Sequence, residues 1–239
     1  MERVYFFSDV HLSGHRGDVE ARKINNLLAF LDWLKDRTDV LYIVGDLFDF
    51  WFEYKSAIPK TSLRLLSRLC QLSESGVTIR YFTGNHDLWQ DGYLAHEVGL
   101  ELYRGPSAVQ HNSLRLFIAH GDGVLPGDWK AKVRDAIFRN RLNIRLYRFL
   151  HPDVGIPLAS LVARKSRENE GDPREQQYRE YAKRKLNEGF DAVILGHTHL
   201  PALEEFDSKY YINLGDWITR FTYLELEGKR FRLESWSGT

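Results

Sequence analysis

The chain has a single cysteine, Cys70, in 239 residues. That excludes an internal disulfide and any zinc site built from cysteine thiolates. Cys70 lies among Leu65, Leu66, Leu69 and Leu72, a pattern that predicts a plain core thiol on a helix. Net charge is lacking as well: 33 Lys and Arg balance 33 Asp and Glu, so bulk charge argues for no nucleic acid or other polyanionic partner. No apolar run approaches the roughly 18–20 residues of a membrane-spanning helix. A strand pattern already opens at Val4, which leaves no room for a basic and apolar signal stretch, and the chain reads as cytoplasmic. Internal repeats and low-complexity tracts are missing too. The composition, 43% hydrophobic and 28% charged, is that of a globular protein, and the length suits one sizeable domain with an insertion.

What the sequence does have is one event repeated five times: an apolar run that ends abruptly on a residue able to bind metal. Residues 4–7 meet Ser8-Asp9-Val10-His11, and 41–44 meet Gly45-Asp46, with Asp49 three residues on. Residues 77–82 meet Gly84-Asn85-His86-Asp87. Residues 114–119 meet His120-Gly121-Asp122, and 192–195 meet Gly196-His197-Thr198-His199. Unbroken apolar runs of this length suit strands buried on both faces of a sheet. Ligands of open α/β sheets bind beyond the carboxyl ends of such strands. A lone Gly-Asp reads more naturally as a turn or a helix cap. Five exits holding five of the nine histidines do not.

Between these exits, helical stripes are predicted over 19–35 (Ile24, Leu27, Leu28, Leu31, Leu34) and 61–75 (Leu63, Leu66, Leu69, Leu72), the second closed by Gly76. The aromatic run Phe48, Phe50, Trp51, Phe52 and Tyr54 reads as wall and core. A short helix from Tyr93 and an irregular piece to Pro106 follow. Residues 123–189 change character. They lack strand patterns, and from Lys130 to Lys185 they hold 15 Lys and Arg against 7 Asp and Glu. Over 129–150 arginines alternate with apolar residues, a basic amphipathic helix or helix pair. This is either a lid packed on the domain or a surface for anionic lipid and an acyl chain. After residue 190, short strands over 203–206, 209–214, 221–226 and 230–234 suggest antiparallel pairing, with Gly228 in one turn. The expected fold is α/β: a two-sheet sandwich flanked by helices, with 123–189 inserted as a helical cap.

Asp9, Asp46, Asn85, His11, His120, His197 and His199 form a mixed nitrogen and oxygen donor set without thiolate. Such a set suits Mn²⁺, Fe²⁺ or Zn²⁺ better than Ca²⁺. Seven donors are too many for one ion with an open position and suit two, with Asp46 as the natural bridge. Two ions about 3.5–4 Å apart clamp both oxygens of an in-line phosphoryl displacement.

At this point the five blocks Asp9-x-His11, Gly45-Asp46-x-x-Asp49, Gly84-Asn85-His86-Asp87, His120-Gly121-Asp122 and Gly196-His197-x-His199 resemble, in order, the signature of the calcineurin-like metallophosphoesterases. The resemblance implies that Asp9, His11, Asp46 and His199 hold one divalent ion, and Asp46, Asn85, His120 and His197 the other. It makes His86 the group that offsets charge on, or protonates, the leaving oxygen, with Asp49 orienting it. Within that superfamily, the run to Trp51, His120-Gly121-Asp122 and the arginine-rich insert resemble the UDP-2,3-diacylglucosamine diphosphatases of lipid A synthesis. That implies two Mn²⁺ ions, hydrolysis of a pyrophosphate in a nucleotide-linked lipid, and peripheral contact with the cytoplasmic face of the inner membrane. By the same resemblance Asp122, Arg164, Ser166 and Arg167 contact substrate. The best-known members carry arginine where this chain has His86. The competing expectations are a phosphodiesterase or nucleotide pyrophosphatase of broad specificity, and a non-enzymatic scaffold, which should have lost ligands. None is missing here.

Overall fold

A computed structural model describes residues 2–13, 17–167 and 174–238, without the side chains of 130 and 162–167. Two mixed sheets form its centre. The first has the order β11-β10-β1-β2-β3-β4, built from β1 (Arg3–Phe7), β2 (Val40–Val44), β3 (Thr78–Phe82), β4 (Leu100–Tyr103), β10 (Thr222–Glu227) and β11 (Arg230–Ser235). The second has the order β5-β6-β7-β9-β8, built from β5 (Ser107–His111), β6 (Leu114–Ile118), β7 (Ala192–Leu195), β8 (Ala202–Phe206) and β9 (Lys209–Asn213). Strands β1 to β4 run parallel, as do β6, β7 and β9, so the carboxyl ends of five strands can share one rim.

Alternation along the strands decides what each face covers. Val4, Phe6, Tyr42 and Val44 turn toward Ile118, Ile194 and Ile212 of the other sheet, where Phe6 and Tyr42 stack at 4.7 Å. Tyr5, Phe7, Leu41 and Ile43 turn the other way, onto Leu27, Phe30 and Leu31 of α1 (Asp18–Leu34) and Leu66 and Leu69 of α2 (Leu63–Glu74). With both faces of β2 covered, all five of its residues are buried, which is why its sequence is uniformly apolar. A short α3 (Tyr93–His96) precedes β4.

The irregular piece expected up to Pro106 holds β4, and β5, which the sequence did not suggest, follows it. Both are sheet-edge strands of four and five residues with several exposed positions, so neither shows a continuous apolar run.

The described part of 123–189 carries four helices that are not alike: α4 (Trp129–Phe138), α5 (Arg141–Arg148), α6 (Pro152–Arg167) and α7 (Glu175–Asn187). Helix α7 buries Tyr178, Ala182 and Leu186 against Phe117, Val193 and Tyr211 of the second sheet, so it forms part of the body. Helices α4 to α6 instead leave large apolar side chains in solvent, with Phe149 87% and Leu142 63% exposed.

Beyond β9, the chain turns on Asp216, whose Oδ1 accepts main-chain hydrogen bonds from Ile218, Thr219 and Arg220 at 2.6–3.2 Å. Burial alone would raise this carboxyl; the N–H donors of Thr219, Arg220 and Ile218 and the Arg220 guanidinium hold it below its ordinary value. A depressed folded value stabilises the fold above the ordinary aspartate range, and the contribution disappears as pH falls through the depressed value. Asp216→Asn is therefore expected to cost about 1.5–3 kcal/mol at neutral pH and less below about pH 4. Urea unfolding at pH 7 and pH 3 measures it. An equal loss at both pH values would contradict it.

Candidate metal centre and active site

All five strand exits meet on one rim. Asp9, His11, Asp46, His197 and His199 have φ between 49° and 70°, the left-handed region that side-chain-bearing residues seldom occupy. Such conformations cost of order 1–3 kcal/mol each and persist only where the surroundings over-determine them. Here, the exit of β1 is laced to that of β2: the N–H groups of Val10 and His11 donate to the Asp46 carbonyl at 3.0 and 2.9 Å, and that of Leu12 to Leu47 at 3.1 Å. Asp87 ties β2 to β3 by accepting from Leu47 N and Gly84 N at 3.0 and 2.7 Å, and from the Tyr81 hydroxyl. Burial, then the Asp46 charge, pushes the Asp87 carboxyl up to about 6. The exits approach so closely that a Cβ on Gly84 would stand 2.0 Å from Asp46 Oδ1.

Three residues the sequence did not single out support the rim. Lys23, 2% exposed on α1, donates to the carbonyls of Val10 and His11 at 3.2 and 2.6 Å and pairs with Glu20 at 2.9 Å. Asn213 donates to the Gly196 carbonyl at 3.1 Å and to Thr198 Oγ1 at 2.9 Å. Trp217 N donates to the Asp9 carbonyl at 3.0 Å. None was legible beforehand, since each acts across many residues of chain and belongs to no motif.

The side chains converge as follows. Asp9, His11 and His199 offer ligand atoms that lie within 4.8 Å of one another, and so do Asp9, Asp46 and His120. His11 Nε2 and His199 Nε2 are 3.3 Å apart, a separation suited to a shared ion. His120 Nδ1 meets the Val44 carbonyl at 2.9 Å, so that nitrogen carries the proton. Its Nε2 is left facing Asp46 Oδ2 and Asn85 Oδ1, each at 3.3 Å. His197 belongs to neither triad; its ring packs edge-on to His120 at 5.2 Å, and its N–H donates to Asp9 Oδ2 at 3.0 Å.

Asp49 contacts both His11 and His86. The Asp49 carboxylate lies 3.3 Å from His11 Nδ1, whereas its main-chain carbonyl meets His86 Nδ1 at 3.0 Å. His86 also shares a third 4.8 Å group with His11 and Asp46. Asp122 accepts from Arg134 at 2.8 Å, and both line a cavity of about 380 Å³ beside His197. The side chains of Arg164, Ser166 and Arg167 lie outside the described residues.

Asp9 and Asp46 are 0% and 1% exposed, and among the described residues neither pairs with lysine or arginine. Burial would raise both carboxyls, yet His120 and the other imidazoles hold them well below the carboxylate range. Conversely, burial would lower His120, and Asp46 and Asp9 raise it well above its ordinary value. For His197, burial and the His120 charge act together to lower the imidazole. Two buried carboxylates among imidazoles call for positive charge, and nitrogen and oxygen donors at these separations fit divalent ions.

From the floor of this rim rises a pocket of about 400 Å³. Asp49, Asn85 and His86 form its base, and Phe50, Trp89, Phe138, Tyr147 and Leu158 are among its walls. The aromatic run after β2 is thus both core and pocket wall: Trp51 and Phe52 are buried, and Phe50 and Trp51 face the cavity.

Residues 2–201 match the calcineurin-like phosphoesterase family. The chain belongs to that family. As a member of the calcineurin-like phosphoesterases it is a metal-dependent hydrolase. It is similar along its length to UDP-2,3-diacylglucosamine hydrolases. That of Porphyromonas gingivalis is 32% identical, over 98% of this chain and 97% of the relative. Those of Shewanella baltica and Nitrosococcus oceani are 28% and 26% identical, over 98% and 89% of this chain and 97% and 86% of theirs. An archaeal phosphodiesterase of known structure shares the fold at a TM-score of 0.50 and 16% identity, covering 98% of this chain and 99% of that one. No described helix of this phosphoesterase is long and apolar enough to cross a membrane.

Proposed function

We propose that this phosphoesterase hydrolyses the pyrophosphate of UDP-2,3-diacylglucosamine to UMP and 2,3-diacylglucosamine 1-phosphate. The observation that carries the reading is the 400 Å³ pocket: its base is the polar rim, and its walls, reaching into α4, α5 and α6, are aromatic and aliphatic. A substrate with phosphates at one end and acyl chains at the other matches that polarity, and a soluble diester does not need the apolar half. Helices α4 to α6 act as the cap, with α7 left in the body.

Asp9, His11, Asp46 and His199 would hold one divalent ion, and Asp46, Asn85, His120 and His197 the other, with Mn²⁺ the first candidate. When bound, the ions supply positive charge to the phosphoryl oxygens and acidify water. The chain's own groups do the rest. His86, at the base of the pocket, donates a proton or hydrogen bond to the departing phosphate oxygen. The Asp49 carbonyl fixes the His86 tautomer, because a carbonyl only accepts and Nδ1 must donate. Phe50, Trp89 and Tyr147 keep water from the acyl chains and hold the lipid half in register. Asp122, Arg164, Ser166 and Arg167 are assigned to the substrate by the same resemblance. Assaying UDP-2,3-diacylglucosamine beside bis-p-nitrophenyl phosphate with Mn²⁺ tests the reading. A large kcat/KM preference for the lipid is expected; equal or better turnover of the soluble diester would favour a broad phosphodiesterase.

The exposed face of the cap is assigned to the cytoplasmic surface of the inner membrane. Leu142 and Leu146 on α5, and Phe149 just after it, stand in solvent beside the exposed Arg141 and Arg145. Each basic residue near an anionic leaflet contributes about 1 kcal/mol. Arg141→Glu with Arg145→Glu should therefore weaken binding to anionic vesicles at least about 30-fold at low salt. Vesicle sedimentation measures it, and no binding by the parent protein would reduce the cap to a lid.

A further inference from the structure

A second pocket, of about 140 Å³, lies on the other side of Leu88 and Trp89 from the acyl-chain cavity. Three arginines from three separate elements line it: Arg104 just after β4, Arg139 at the end of α4 and Arg148 in α5. Arg148 pairs with the largely exposed Asp91, whereas Arg104 and Arg139 pair with no carboxylate among the described residues. Arg104 donates to the Gln90 carbonyl at 3.1 Å, and Arg139 reaches Thr83 Oγ1 at 3.4 Å. The other acidic lining residue, Glu53, already accepts from Trp51 Nε1, Asp91 N and Tyr93 N at 2.7–3.0 Å.

The decisive feature is what the pocket leaves unsatisfied. Gln90 is 7% exposed, and neither its Nε2 nor its Oε1 has a hydrogen-bond partner among the described residues; the same holds for Arg148 Nε. Buried polar atoms are nearly always paired, and each exception calls for a ligand or water. Here three such atoms, two of them donors, border one small cavity among three guanidinium groups. Guanidinium forks match the oxygens of a phosphate group, and the amide adds one donor and one acceptor for a P–O⁻ and a P–OH.

We propose that this pocket is a phosphate-binding site separate from the hydrolytic centre, taking a phosphate monoester group from a lipid headgroup or free phosphate from solution. Its position fits either source. Ile144 and Arg148 turn one side of α5 to the pocket, while Leu142 and Leu146 on the same helix and Phe149 just after it are exposed, so a headgroup could enter beside the apolar face.

Calorimetric titration of the Mn²⁺-loaded protein with inorganic phosphate at low ionic strength tests the site. Two classes of binding are expected, and Arg139→Gln and Gln90→Glu should each weaken one class at least about tenfold. Both variants should leave turnover of bis-p-nitrophenyl phosphate within about twofold. Arg139 is exposed at a helix end and Gln90→Glu is nearly isosteric, so at least one variant remains folded, which circular dichroism verifies. A single class in the parent, or two classes that neither variant alters, overturns the proposal. Phosphatidylcholine vesicles with and without phosphatidic acid identify the source. If Arg139→Gln weakens binding only to the acidic vesicles, and inorganic phosphate competes there, the ligand is a headgroup. If vesicle binding is unchanged while the phosphate class is lost, the ligand is free phosphate.

Discussion

Asp46→Ala is expected to remove both metal ions and to lower turnover at least about 10³-fold. Asp46 is the carboxylate at the middle of the rim. Its Oδ2 lies 3.3 Å from His120 Nε2 and 3.6 Å from His11 Nε2, so one side chain faces both groups of donors. Its Oδ1 also accepts the His86 N–H at 2.9 Å. Loss of activity alone would not separate a missing bridge from a damaged loop, so stability in chelator is the second measurement. Without ions, the buried Asp46 carboxylate is held by His120 and the other imidazoles, so removing it costs stability in itself. In chelator the variant should therefore melt below the parent, and the decisive contrast is that Mn²⁺ should raise the melting temperature of the parent alone. Asp46→Asn, which can still accept from His86 N, should behave the same way. Metal analysis checks the count: an active variant with one ion or none would defeat the dinuclear reading.

The parts of the fold that the sequence disclosed are those where one short stretch carries the whole signal. Residues 41–44 are apolar because β2 is covered on both faces, and Gly45-Asp46 ends the run because the next residue must face the rim. The same logic exposed β1, β3, β6 and β7, hence the donors. Strands β4 and β5 escaped because edge strands face solvent along one side and need no apolar run. Helix α7 was assigned with the cap because it lies in the basic stretch without strand patterns, although three buried side chains suffice to fix it on the second sheet. The supports of the rim were hidden for a different reason. Lys23 is one charge on an amphipathic helix, and nothing in its neighbourhood says that its ammonium reaches the carbonyls of Val10 and His11. Backbone strain is equally silent: glycine at 45 announces a positive φ, but the left-handed Asp9, His11 and Asp46 do not.

His86→Ala is expected to lower kcat by about 10²–10⁴-fold, the usual range for general acid–base help, while metal content stays at two ions. Its ring stands at right angles to that of His11, with centroids 4.8 Å apart, and it faces the pocket in which the lipid half of the substrate is placed. With Nδ1 directed at the Asp49 carbonyl, Nε2 is the nitrogen assigned to the departing phosphate. The geometry offers one competing role, because His86 also lies within ligand distance of His11 and Asp46. The two roles separate cleanly. A hydrogen-bond donor leaves metal affinity within a few-fold when removed, whereas a ligand takes an ion with it. His86→Arg sharpens the contrast: a guanidinium can donate to a phosphate oxygen but is a poor metal ligand, since it stays protonated. The arginine variant should therefore hold both ions and retain more activity than the alanine variant. An arginine variant that loses metal as alanine does would instead make His86 part of the metal centre.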